Sequence, residues 1–190
     1  LCCIALQAAF VIASFHNSAR ADDTEALAKK LSNPVASLVS VPFQYNYDHD
    51  IGPVQGGTQN YVKFQPVIPI SLNSDWNLIL RSITPIMDQN EIFPGAGHQF
   101  GLNDTTTSFF FSPKQPLGGW LIWGAGPVVY LPTGTDKLLS AEKWGVGPTA
   151  VALTQSGPWT IGILANHIWS VGGDSGLPDI NSTYLQPFVL

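Results

Sequence analysis

The chain has 190 residues, a formal net charge of -5 and 11% charged residues, well under the ~25% usual in soluble domains. Its mean hydropathy is +0.14, yet past the N-terminal leader no run approaches the ~18 apolar residues that a membrane helix needs. Membrane helices and a basic nucleic-acid surface are both excluded, while 18 Gly, 15 Pro and 11% aromatic residues with one Met favour strands and turns.

Residues 1–15, LCCIALQAAFVIASF, form an apolar stretch of signal-peptide length, and Ala19-Arg20-Ala21 supplies an A-x-A cleavage pattern. Residues 1–21 are therefore expected to be a partial signal peptide, and a mature chain starting at Asp22 is expected to be exported. Cys2 and Cys3 would leave with the leader, and they precede the apolar run instead of following it as a lipoprotein cysteine does. Residues 22–34 read as a periplasmic helix and linker: acids at the front, lysines at the back, apolar residues at helical spacing, and a stop at Asn33-Pro34.

From residue 35 onward the sequence predicts strands, at 35–47, 61–72, 76–87, 99–111, 120–131, 144–154, 159–170 and 181–190. These eight segments exceed the ~5–6 residues of globular strands and match the ~9–11 of a tilted membrane strand. Short connections at 73–75, 113–119 and 156–158 alternate with long ones at 48–60, 88–98, 132–143 and 171–180. Short periplasmic turns and long outer loops are the layout of an outer-membrane barrel. Trp76, Trp120 and Trp159 follow the short turns and form one expected interface girdle; Trp144, Trp169 and the tyrosines Tyr45, Tyr47, Tyr61, Tyr130 and Tyr184 form the other. Along 61–72, Val62, Phe64, Ile68, Ile70 and Leu72 share a face expected to meet lipid, opposite Lys63, Gln65 and Ser71. Along 159–169 the outward set is Trp159, Ile161, Ile163, Ala165 and Trp169, with His167 on the same phase near the rim.

Seven prolines fall inside these segments, where each breaks a ladder bond and requires a bulge or a wet rim. Trp123-Gly-Ala-Gly-Pro127 recurs as Trp144-Gly-Val-Gly-Pro148, each Gly pair marking a bend or a close strand approach. A dinucleotide fingerprint lacks its third Gly and its helix here.

The runs LAKKLSNPVASLVSVPFQYNYD, FQPVIPISLNSDWNLILRSITPI, IFPGAGHQFGLNDTTTSFFFSPK and EKWGVGPTAVALTQSGPWTIGILANHIWSVGGD resemble the MetA-pathway phenol-degradation family of bacterial outer-membrane proteins. Such chains are also called simply "transporter", and sometimes neuromedin U. The resemblance covers nearly the whole mature chain. It implies a small-molecule channel with more strands than eight, so that 35–190 is a barrel truncated at its C-terminus, and it carries over no catalytic motif.

Within the expected strands only Lys63, Arg81 and Asp104 are charged, and the ~2–4 kcal/mol cost of lipid-facing Lys or Arg at mid-membrane directs them to the lumen. There they act either as a selectivity site for a polar or anionic solute, or as mutually paired charges that hold the barrel's shape. His49, His98 and His167 lack the nucleophile or spaced ligands that a hydrolase or a metal site needs, so no enzyme activity, cofactor or metal is expected. The leading expectation is an all-β, antiparallel outer-membrane barrel acting as a passive channel for small, hydrophobic or aromatic molecules. Its partners are the lipid bilayer, the solute and the outer-membrane assembly machinery, with no nucleic acid. The alternatives are an envelope or adhesion barrel without transport, an outer-membrane lipid hydrolase, and a secreted soluble β-sandwich that binds ligands.

Overall fold

Alternation and turn residues dominate after Pro34, and the chain folds accordingly into an antiparallel meander. The computed structural model describes residues 9–11, 27–28, 30–31, 33–157 and 159–190. These form an eleven-stranded sheet: β1 (Ala9–Val11), β2 (Pro42–Ile51), β3 (Gly57–Phe64), β4 (Val67–Ser71), β5 (Trp76–Asn90), β6 (His98–Leu102), β7 (Thr105–Pro113), β8 (Leu121–Leu131), β9 (Lys143–Ser156), β10 (Trp159–Gly173) and β11 (Asn181–Val189). Each of the eight expected segments contributes a strand, and chain neighbours pair throughout. β1, inside the stretch read as leader, runs antiparallel to Pro42–Gln44. The cleavage pattern and most of the expected helix lie outside the described residues; Leu27, Ala28, Lys30 and Leu31 are helical.

Two expected strands are each divided. β3 and β4 part at Gln65-Pro66, but the register against β5 runs straight through, with Phe64 opposite Thr84 and Val67 opposite Arg81. β6 and β7 part at Asn103-Asp104, where pairing slips by one residue: Leu102 lies opposite Ile86, yet Thr106 lies opposite Ile83. That bulge moves the inward phase from odd positions in β6 to even ones in β7. Most strands also run past their expected ends, so the long connections narrow to 52–56, 91–97, 132–142 and 174–180.

Several of the prolines stand at gaps in the ladders or in an edge strand, while Pro69 sits within the unbroken β4–β5 pairing. Pro66 occupies the β3–β4 gap, Pro85 faces the Asn103 bulge and accepts its N–H at 2.9 Å, and Pro187 lies in the edge strand β11. Pro127 and Pro148 stand directly opposite each other across β8 and β9, so their missing donors face β7 and β10. Both of those ladders are interrupted there. The preceding glycines make the fit: a Cβ on Gly126 would stand 2.0 Å from the Phe109 carbonyl oxygen, and one on Gly147 1.7 Å from that of His167. The repeated Trp-Gly-x-Gly-Pro run is thus a device that brings a neighbouring strand close where proline breaks its pairing.

The sheet curls but stays open among the described residues, since no ladder joins β11 to β1 or β2. Its concave face holds an apolar cluster of Val67, Ile79, Phe110, Val151, Leu153 and Leu164, with Ile79 and Phe110 fully buried. Val35 completes this cluster, which corrects the expectation of strand from residue 35. Residues 35–39 instead cross the concave face: Asn33 Oδ1 accepts the Val35 N–H at 2.9 Å, Asn77 Nδ2 donates to Ser37 Oγ at 2.9 Å, and Ser40 bridges to Val67. Apart from that bridge, ladder pairing begins only at Pro42.

Candidate functional site

The convex face is apolar. Register places Tyr45, Phe64, Ile68, Ile163 and Leu185 outward, and each is exposed. The expected faces of 61–72 and 159–169 match this register: Val62, Phe64, Ile68 and Ile70 point out, Lys63 and Gln65 point in, and Thr160 and Leu164 are buried between the outward positions of β10. The outward carboxylate Asp88 lies near the long-loop rim and meets His98 at 2.7 Å. Polar groups are buried on the concave side instead, among them Asn46, Asn77, Gln89, Ser108 and Ser112. They share that side with the apolar cluster around Ile79 and Phe110, so the departure from a water-soluble sheet lies in the exposed apolar convex face.

Among the expected girdle residues, Trp120, Trp144, Trp159, Trp169, Tyr45, Tyr47 and Tyr184 are exposed, and Trp76 meets Trp123 edge-on at 5.9 Å between ring centres. Three tyrosines are placed differently. Tyr61 lies opposite Met87 and Tyr130 opposite the inward Gly145, so both face the concave side, and Tyr184 lies opposite the inward Asn166. A tyrosine at a strand end reads alike on either phase, and the glycines beside Tyr130 hide its parity.

Of the three charged candidates, Lys63 and Arg81 come together and Asp104 does not join them. Lys63 on β3 and Arg81 on β5 line one cavity of about 360 Å³ with Ser108, Asn166, Ser182 and Tyr184, and they lie close enough for their charges to repel. Sequence spacing alone left them apart, because it could not reveal how the sheet curls. Arg81 Nη2 donates to Gln65 Oε1 at 2.9 Å, Gln65 Nε2 to Gln44 Oε1 at 3.2 Å, and Gln44 Nε2 to Asn46 Oδ1 at 3.0 Å. This amide chain, missed in the sequence reading, could have been found as polar residues at inward positions of β2 and β3. Lys63 Nζ sits 5.4 Å from the Tyr61 ring centre. Among the described residues neither cation has a salt-bridge partner.

Asp104 is fully occupied elsewhere. It is 3% exposed at the β6–β7 bulge. Its Oδ1 accepts from Gly134 N at 2.9 Å and Ser140 Oγ at 2.7 Å; its Oδ2 accepts from Tyr130 Oη at 2.9 Å and Ala141 N at 2.6 Å. Four donors fix the carboxylate in place and tie the 132–142 loop inward, where Leu139 is buried and Gln89 Nε2 donates to the Leu138 carbonyl at 3.3 Å. Replacing Asp104 by Ala strands these donors and should cost about 3–5 kcal/mol, by analogy with a broken buried ion network. The loop should then be cut by protease at concentrations that leave the native loop intact; equal resistance would mean that other contacts hold it.

Several titratable residues in and beside the long connections have structural partners. His49 meets Asp50 at 2.8 Å, and Glu91 accepts the N–H groups of Gly95 and Gly97 at 3.1 Å each. Lys143, buried at the start of β9, donates to Asp179 at 3.2 Å; that bond and a second from Ser170 hold the Asp179 carboxyl below its ordinary range. Among the described residues no group of three or more His, Cys, Asp or Glu is placed to hold a metal ion. Comparison of the chain with protein-family models, with curated proteins and with solved structures gave no match.

Proposed function

We propose that this protein is a bacterial outer-membrane β-barrel that conducts small molecules passively through its interior. The observation that carries this reading is the exposed apolar convex face, with two cations free of salt bridges and a hydrogen-bonded chain of amides on the concave one beside its apolar cluster. In water such a face would be an aggregation hazard; in a bilayer it is the surface that lipid requires. The resemblance to the phenol-degradation family of outer-membrane proteins points the same way, toward small hydrophobic or aromatic solutes reaching the cell from outside. No chemical step is assigned: Thr183 Oγ1 meets His167 Nδ1 at 2.7 Å, but both stand on the outward phase of the sheet, away from the cavity.

One observation favours a second reading, a barrel that serves the envelope without transport: the apolar cluster seated on Val35 closes the concave side toward the short-turn end. Ion conduction separates the two. In planar bilayers with a salt gradient the protein should show discrete openings with anion preference, since Lys63 and Arg81 leave the cavity net positive. Arg81→Gln should shift the reversal potential toward cation preference while the heat-modifiable mobility of the folded barrel is kept. An unchanged reversal potential would remove Arg81 from selectivity, and a folded barrel without conductance would leave the envelope reading standing.

A further inference from the structure

The cavity of about 360 Å³ between β3, β5, β7, β10 and β11 is built to hold more than water and inorganic ions in transit. We propose that it is a binding site for a small organic monoanion, a carboxylate carried on a compact apolar body. The proposal rests on the channel reading for its location in a solute path, although binding itself requires no conduction.

Arginine carries five N–H donors in a planar fork. Arg81 uses one hydrogen bond, to Gln65 Oε1 at 2.9 Å, which fixes the guanidinium from one side and leaves the remaining donors without a protein acceptor among the described residues. Lys63 shares the cavity and makes no salt bridge among the described residues; Asp48, which does not line the cavity, offsets part of its charge. Two like charges facing a cavity that no carboxylate lines are unfavourable, and an anion between them relieves that repulsion. The acid that might have filled this role, Asp104, is saturated by its four donors.

The rest of the lining defines the ligand. Ser108, Ser182 and Asn166 add hydroxyl and amide groups, while Ile83, Ile168 and Ile180 supply apolar wall. A hydrated phosphate or sulfate gains nothing from three isoleucines, whereas a carboxylate with an apolar body uses both parts of the cavity. One fork and one ammonium match a single carboxylate better than a polyanion. The volume lies within the ~300–1,000 Å³ of small-molecule sites.

The test is calorimetric titration of the full chain, folded in detergent micelles, with benzoate and with benzamide, which have nearly the same shape and differ in charge. Benzoate should bind saturably and at least about tenfold more tightly than benzamide, as loss of a charge-assisted hydrogen bond implies. Arg81→Gln should remove about tenfold or more of the benzoate affinity, and Lys63→Met a smaller share. Arg81→Lys, which keeps the charge and loses the fork, should fall between the native protein and Arg81→Gln. Lys114→Gln, in the short-turn connection where Lys114 Nζ donates to Ser71 Oγ at 2.8 Å, should bind as the native protein does. Equal affinity for benzoate and benzamide, or full affinity in Arg81→Gln, would overturn the site. If Arg81→Gln does not fold, the benzoate–benzamide contrast and Arg81→Lys decide. Absence of conductance with benzoate binding intact would sink the channel reading alone; conductance without binding would sink this inference alone.

Discussion

Arginine in place of Ile163 is expected to destabilise folding into lipid vesicles by about 2–4 kcal/mol, the cost of a lipid-facing guanidinium near the midplane. Ile163 lies opposite Ala152 of β9 and Pro187 of β11, on the outward phase, and is 43% exposed. Arginine at Gln186, opposite Leu164 on the inward phase at the same height, should cost far less, because a cavity of about 430 Å³ lies beside it. Urea unfolding of the two variants in vesicles compares them directly. Equal costs would mean that the convex face does not meet lipid, and a soluble sheet would tolerate Arg at Ile163 almost freely. Gly162 makes no useful inward control, although sequence alternation alone expects it to accept Arg. A Cβ there would lie 2.6 Å from both Leu153 Cβ and Phe188 Cζ, and 2.8 Å from the Ala152 carbonyl oxygen.

That contrast between Gln186 and Gly162 marks where sequence reading works and where it stops. Strand positions were legible because alternation and turn residues act locally, and the outer and inner phases of 61–72 followed from parity alone. Interruptions inside strands were not: Asn103-Asp104 looks like a turn signal within a strand, and only its pairing with β5 identifies it as a bulge that changes phase. Residues 35–39 have the apolar content of a strand, and long-range packing of Val35 against Ile79 and Phe110 draws the start of the segment inside instead, leaving Val39 exposed. The same limit applies to the site. Arg81 and Lys63 were legible as inward charges, but their shared cavity and the role of Asp104 as a loop anchor depend on curvature that no local pattern encodes.

Locking residues 35–39 in place should abolish conduction. Val35 is 5% exposed, and a Cβ built on Gly124 of β8 would stand 3.2 Å from its Cγ1, a side-chain contact that puts a disulfide within reach after Val35→Cys and Gly124→Cys once the two Cβ atoms settle ~3.5–4.5 Å apart. The chain has two cysteines, Cys2 and Cys3, which are changed to Ala for this test. A charged or hydrated solute cannot cross the dry cluster around Ile79 and Phe110 without losing its water, at a cost of several kcal/mol. Moving the segment aside costs less: exposing one valine side chain at about 1.5–3 kcal/mol, and breaking the Asn77–Ser37 bond at about 1 kcal/mol. Thermal opening of the segment is therefore the cheaper route, and a covalent tether removes it. In planar bilayers the oxidised double variant should be silent and the reduced one should conduct like the cysteine-free parent, with dithiothreitol switching one to the other in a single preparation. Equal conductance in both states, once the cross-link is verified by mass, would show that solute passes elsewhere and that Val35 fills space without gating it.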